Sequence, residues 1–232
     1  MSERADTVVI VGTGTGVGKT HVSCALLAGA SHVGRKCIGL KPIETGFGSE
    51  LTDAEQLRAR GMFHVKQEPP YRFVPPVSPH RAAREARVRI DPEVIRAYVD
   101  SARRPGTTVV VETAGGLFSP LGKGITNFDV ITALEPCKVV LVAPDRLGVL
   151  HDVIATTGLA DARGRRADAI VLSSPRQPDG STGTNAAELG WLGVCEVTAV
   201  FPLAEPEAPE SRVAAERVWG ALAESGWTSS SM

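Results

Sequence analysis

The sequence predicts a doubly wound α/β fold on a mostly parallel sheet, and three observations predict it. Short apolar runs rich in β-branched residues recur along the chain, and helix-length segments lie between most of them. The first run, within VVIVGTGTGVGKTHVSCALL at residues 8–27, empties into a glycine-studded turn that leads directly into a helix-like stretch. Strands joined by helical crossovers run parallel, because each crossover carries the chain back to the edge where it began.

Taken in order, residues 8–11 (VVIV) are apolar on both faces, as a strand covered by helices on either side must be. Residues 20–32 read as the first helix and 37–40 (CIGL) as the second strand, which ends at Lys41-Pro42. Residues 61–80, rich in proline and aromatics and ending PPVSPH, are expected to be irregular. Asp91-Pro92 reads as an N-cap followed by proline at the first helical position, opening a helix over 92–103. The third strand at 108–111 (TVVV) ends at Glu112. Strands at 139–142, 169–172 and 197–200 follow, with a helix over 149–163. The stretch SSPRQPDGSTGT at 173–184 is expected to be a mobile loop, and the terminal WTSSSM to be disordered. No internal repeat or linker is visible, so one domain over 1–226 with a tail at 227–232 is expected.

Composition bounds the function. The chain has 232 residues, enough for a substantial core, and a formal net charge of −1, which gives no global basic field for nucleic acid. Hydrophobic residues make up 43% and aromatics 5%, as in Val/Ala/Leu-rich globular folds. MSERADT has neither a basic nor an apolar leader segment, and no apolar run approaches the ~18 residues of a membrane span. A cytoplasmic protein without a membrane partner is expected. Cys24, Cys37, Cys137 and Cys195 are scattered, without a CxxC pair, and read as free thiols. The five histidines show no zinc-ligand spacing.

The glycine turn carries the chemistry. Glycines let successive backbone N–H groups turn inward, and the following helix presents its positive end to the same point, so the turn suits an anion. The common phosphate-loop pattern G-x-x-x-x-G-K-[ST] is one residue out of register, since Thr13 stands at its first glycine and Gly12 precedes it. The context of buried strand, turn and helix nonetheless predicts P-loop NTPase architecture. The dinucleotide fingerprint G-x-G-x-x-G does not fit at Gly12 or Gly14. Lys19 is expected to neutralise terminal phosphate oxygens, and Thr20 to bind Mg²⁺ through its hydroxyl. Glu112, at the carboxyl end of a buried strand, is a metal partner in the expected place. Asp53 is either a second metal ligand or simply the start of a helix near Thr52. Lys41, also just past a strand, brings a second cation to the ligand side, and with Lys19 on an adjacent strand's loop the two are expected to converge on one phosphate, which suits phosphoryl transfer.

Together these motifs resemble the dethiobiotin synthetases: GTGTGVGKT at 12–20, KPIETG at 41–46, VSPH at 77–80 and VETAGG at 111–116, with DRLGVLHD at 145–152 in support. The resemblance implies an ATP- and Mg²⁺-dependent cyclo-ligase of biotin synthesis. One amine of 7,8-diaminononanoate takes up CO₂, the carbamate attacks the γ-phosphate of ATP, and the second amine closes the ring. It implies catalytic roles for Lys19 and Lys41, and metal ligation by Thr20, Asp53 and Glu112. Nucleotide contacts are implied at Thr15, Gly16, Val17, Gly18, Lys19, Thr20 and His21, at Glu112, Thr113, Ala114 and Gly115, and at Ser173, Ser174 and Pro202. Thr45 and Lys41 would meet the diamine or carbamate. In a homodimer, Leu147, Gly148, Val149 and His151 would hold the substrate carboxylate from the partner subunit.

Three positions depart from that family. Ser173-Ser174 stand where an asparagine often reads the adenine edge; a hydroxyl cannot pair bidentately, so weak base discrimination is expected, with other nucleoside triphosphates accepted beside ATP. His151 replaces an asparagine, and a protonated imidazole there would still pair with a carboxylate. Thr113 replaces a glycine, which is tolerable if its backbone φ is negative. Two other readings share the loop. A switch ATPase of the ParA/MinD kind would carry its signature lysine at position 14, where this chain has Gly14. An amide-forming domain of the cobyrinate-synthetase kind continues into a glutamine-amidotransferase domain with a nucleophilic cysteine, and no cysteine here has the strand–nucleophile–helix setting.

Overall fold

In the computed structural model of the protein, which describes residues 6–48 and 51–226, the first apolar run forms β1 (Asp6–Gly12) and the glycine turn leads into α1 (Lys19–Gly29), closed by a 3₁₀ turn over Ala30–Val33. The chain continues through β2 (Cys37–Leu40), β3 (Ile43–Thr45), α2 (Asp53–Arg60), β4 (Tyr71–Phe73), α3 (Pro79–Glu85) and α4 (Pro92–Ala102). Next come β5 (Thr108–Glu112), β6 (Pro120–Gly122), β7 (Ile125–Thr126) and α5 (Asn127–Leu134). The last third holds β8 (Lys138–Pro144), α6 (Val149–Ala162), β9 (Ala169–Ser173), α7 (Asn185–Trp191), β10 (Ala199–Phe201) and α8 (Pro209–Glu224). The expected tail at 227–232 lies outside the described residues.

Six strands form one sheet in the order β10-β9-β8-β1-β5-β2, every neighbouring pair parallel. The chain leaves β1 for β2, returns to β5 between them, and then crosses to β8 on the other side of β1. The strand order therefore reverses around β1, and a crevice opens at its carboxyl end, where ligands of open α/β sheets bind. Here the sequence reading needs a correction: Lys41 and Lys19 were expected to follow adjacent strands, but β5 lies between β1 and β2. That places Glu112, at the end of β5, between the two lysines.

Period-two geometry explains why the strands are apolar throughout. Val9, Val11, Val109, Val111, Val139 and Leu141 face one core with α4 and α5. Val8, Ile10, Val110, Val140 and Val142 face the other with α1 and α8. Full burial of each such side chain is worth roughly 1.5–3 kcal/mol. In α4 the buried residues Ile95, Tyr98, Val99 and Ala102 follow helical spacing, and the Asp91 carboxylate accepts the Glu93 N–H at 2.9 Å as the cap. Trp219 of α8 is buried against α1, its Nε1 donating to the Leu26 carbonyl at 3.1 Å.

Two expected irregular stretches are more ordered than their composition suggested. Within 61–80, β4 pairs with β3, and Pro79 starts α3. The loop at 173–184 is tied down rather than mobile: the buried Asp145 carboxylate accepts the Gly183 N–H at 2.9 Å and the Asn185 amide at 2.7 Å, and Asp179 accepts the Leu147 N–H at 2.8 Å. All four cysteines are free, and burial pushes the Cys24 and Cys37 thiols up to about 12. No helix among the described residues is long and apolar enough to cross a membrane.

Candidate active site

A cleft of about 810 Å³ opens at the carboxyl edge of the sheet. Thr15, Gly16, Val17, Gly18, Lys19, Thr20 and His21 line it from the glycine turn and the start of α1. Lys41, Thr45, Glu112, Ala114, Gly115, Ser173 and Ser174 line it from the other strand ends, and Asp53 from the start of α2. Gly18, the residue before α1, has φ +94, and a Cβ there would lie 2.3 Å from the Ser173 hydroxyl. Glycine is thus required twice over, for the left-handed turn and for the close approach of β9.

Glu112 is the hub. It is fully buried, and its Oε1 accepts from the Lys41 ammonium at 2.8 Å and from the Thr20 hydroxyl at 2.9 Å. Lys41 also pairs with Oδ2 of Asp53, the first residue of α2. Burial alone would lower the Lys41 pKa, but the Glu112 and Asp53 carboxylates outweigh it and hold the ammonium well above its usual range. Among the described residues Lys19 has no such direct ion pair: its ammonium donates to the Gly14 carbonyl at 2.9 Å, and burial lowers its pKa to about 8.

Asp53 is the first residue of α2, as the helix-start reading expects, and it also lines the cleft. Thr52 caps α2 in a reciprocal box with Glu55, and Asp53, next in the chain, turns its carboxylate into the cleft. With Thr20 and Glu112 it makes an all-oxygen donor set, the chemistry a hard cation such as Mg²⁺ selects. Glu112 Oε2 is buried without a hydrogen-bond partner among the described residues, and a cation would satisfy it. Among the described residues no group of three or more His, Cys, Asp or Glu could hold a metal. Two carboxylates and a hydroxyl suit an ion that completes its shell with water and phosphate.

Other expected contacts lie outside the lining. The Thr113 side chain is buried, its hydroxyl donating to the Ile10 carbonyl at 3.0 Å; among described non-glycine residues only Arg87 has positive φ, so the threonine is tolerated. Pro202 contributes its carbonyl, 2.9 Å from His21 Nε2. Val149 is buried in a small core with Val153 and Leu189, whereas Leu147, Gly148 and His151 are exposed beyond the cleft. The structure adds Glu44, Phe47, Leu51, Arg146, Arg176 and Leu203 to the lining. Glu44 and Arg146 sit inside the KPIETG and DRLGVLHD motifs, which was the available signal. Burial raises the Glu44 carboxyl above its usual range, and its Oε1 accepts the Ala54 N–H at 2.8 Å.

Comparison with known proteins agrees with this chemistry. Residues 6–210 match the family described as AAA domain. The ATP-dependent dethiobiotin synthetase BioD of Aromatoleum aromaticum is 40% identical over 162 residues, covering 67% of this chain and 72% of that protein. The protein of the same name from Anaeromyxobacter dehalogenans is 37% identical over 198 residues (83% and 88%), and that of Pseudescherichia vulneris 31% over 222 residues (92% and 90%). Among solved structures, the septum site-determining protein MinD of Pyrococcus horikoshii, complexed with Mg-ADP, superposes with a TM-score of 0.57 at 16% identity, covering 92% of this chain and 96% of that one. A ParA family ATPase from Chlorobium tepidum gives 0.52 at 14% identity (95% and 93%). At such identities the two structures share the fold alone.

Proposed function

The chain belongs to the dethiobiotin synthetase family, and from that premise we propose how its cleft performs an ATP-dependent ring closure on 7,8-diaminononanoate. The observation that carries the reading is the Lys41 ammonium between Asp53 and Glu112, on the side of β5 away from the glycine turn and Lys19. One substrate amine adds to CO₂ and loses a proton, giving a carbamate. A carbamate oxygen attacks the γ-phosphorus while the bond to the bridging oxygen of ADP breaks. The second amine then attacks the carbamoyl carbon, the carbon–oxygen bond to phosphate breaks, inorganic phosphate leaves with the electron pair, and the nitrogen sheds its proton. The product is the cyclic urea.

Each chain residue has a task. Lys19 holds the terminal phosphate oxygens, and Lys41 neutralises the carbamate oxygen and the phosphoryl group in flight, where charge changes most. Thr45, half-buried beside Lys41, orients the diamine. Thr20, Asp53 and Glu112 would hold Mg²⁺, which supplies charge neutralisation across the phosphates. Carbamates revert and mixed anhydrides hydrolyse, so the intermediates need shelter. A second protomer provides it, its exposed Leu147, Gly148 and His151 gripping the substrate carboxylate. The family's structural likeness to MinD and ParA proteins does not carry their activity here, and Gly14 lacks the cation a switch ATPase of that kind would carry.

The test is ATP consumption with and without the diamine and bicarbonate, with the cyclic urea followed by mass. Turnover requires both. Lys41→Gln lowers ring closure by at least about 100-fold, the scale of one lost oxyanion donor, with nucleotide affinity little changed, while Lys19→Gln damages both. Near-full activity of Lys41→Gln would overturn the mechanism. In the same assay CTP and GTP support turnover within about 100-fold of ATP, roughly 2.7 kcal/mol, because the Ser173 hydroxyl is packed over Gly18 and offers the base no bidentate edge.

A further inference from the structure

Asn127 opens α5, a position where an asparagine ordinarily meets water, yet it is fully buried. Its Nδ2 donates to the Ala114 carbonyl at 2.7 Å and to the Gly116 carbonyl at 2.8 Å. Those carbonyls flank Gly115 in the loop that follows Glu112. The Asn127 Oδ1 has no hydrogen-bond partner among the described residues, an arrangement that costs free energy and that an apolar residue would avoid. The side chain is therefore used for its two donors.

The loop is fixed from every other direction as well. Thr113 N–H donates to the Ile10 carbonyl at 3.0 Å, Gly116 N–H to the Ser119 hydroxyl at 2.8 Å, and Leu117 N–H to the Gly12 carbonyl at 2.7 Å. A Cβ at Gly116 would lie 2.9 Å from the Thr13 carbonyl, so the loop is pressed against the glycine turn. Among the described residues, the N–H groups of Ala114, Gly115 and Phe118 are the loop's amides without a protein acceptor, and of these three residues Ala114 and Gly115 line the cleft. Gly115, at φ +78, has the left-handed geometry that lets consecutive amides form a concave anion cradle.

We propose that Asn127 is a positioning residue for the reacting anion: by holding the Ala114 and Gly116 carbonyls inward, it keeps acceptor dipoles out of the cleft and leaves the Ala114 and Gly115 amides to receive the transferring phosphoryl group. This rests on the ring-closing reading above. Asn127 touches neither substrate nor metal and acts only through the loop.

Two variants test it, Asn127→Leu and Asn127→Asp, each assayed for ring closure, for ADP affinity by calorimetry and for thermal unfolding. Asn127→Leu is expected to keep its fold while kcat falls roughly 10- to 100-fold, as a misplacement of about 1 Å allows, with ADP affinity within about threefold of wild type. A purely structural role would instead lower the unfolding temperature and leave kcat of the folded protein intact, and that result overturns the proposal. Asn127→Asp removes the donors as a carboxylate but regains one when protonated, so its kcat relative to wild type rises as pH falls. If Asn127→Leu fails to fold, a pH-independent ratio for Asn127→Asp overturns the proposal on its own. Wild-type enzyme that makes no cyclic urea would sink the ring-closing reading instead, so the two failures are distinguishable.

Discussion

Lys19 and Lys41 bring the same charge to the same cleft, and burial acts on both, yet their neighbours send them in opposite directions. Lys41 touches two carboxylates and stays cationic throughout the working range. Lys19 has the Gly14 carbonyl against its ammonium, and desolvation, opposed by the more distant Glu112 charge, brings it to about 8. A phosphate binds the charged form and so favours it, which makes nucleotide binding proton-linked. Below pH 8 Lys19 is already protonated and affinity is flat. Above it, binding must first take up a proton, so ADP affinity falls by up to about tenfold per pH unit. Calorimetry at pH 7, 8 and 9 reads this directly. Lys19→Gln should bind weakly with no such slope between those values, and a wild-type affinity constant across them would remove Lys19 as the titrating group.

At the scale of elements, α2 is what brings Asp53 into the cleft with Thr20 and Glu112, the donor set proposed for Mg²⁺, and it is anchored twice. Thr52 and Glu55 box its first turn, and Glu44 of β3 reaches across to accept the Ala54 N–H beside Asp53. Glu44→Ala removes that acceptor and should weaken Mn²⁺ binding in the presence of ADP by about three- to tenfold, the worth of one hydrogen bond. Glu44→Gln keeps a carbonyl oxygen for Ala54 and should stay within about twofold of wild type. Titration by electron paramagnetic resonance decides, and equal affinity in Glu44→Ala and wild type would mean the box alone suffices. The sequence made much of this frame legible: strands apolar on both faces could only be buried, and Gly18-Lys19-Thr20 after β1 with Glu112 ending β5 marked the side of the sheet where the cleft opens. What it hid was tertiary. Nothing local says that β5 inserts between β1 and β2, because strand order is decided by crossovers. β3 and β4 have three residues each, too short to display a period. Asn127 follows a capping threonine like any surface residue, and only the docking of α5 against the sheet buries it.

For the whole molecule, the exposed positions say the most about assembly. Leu147 is 72% exposed, and it, Gly148 and His151 lie outside the cleft of their own chain, although the family reading gives them the substrate carboxylate. If each cleft is completed by the other protomer, every site draws Lys41 from one chain and His151 from the other. Lys41→Gln protein then has no working site, and His151→Asp protein, which sets a like charge against the carboxylate, binds its substrate poorly. Co-refolding equal amounts changes the arithmetic. Half of the dimers are mixed, and each mixed dimer holds one site with both defects and one with neither. Activity at low diamine concentration should therefore climb to about one quarter of wild type in an isologous dimer. A His151 that served its own cleft, or a chain that stayed monomeric, would give no gain above the average of the two variants. Sedimentation of the mixture separates those two outcomes, since only the first shows dimers.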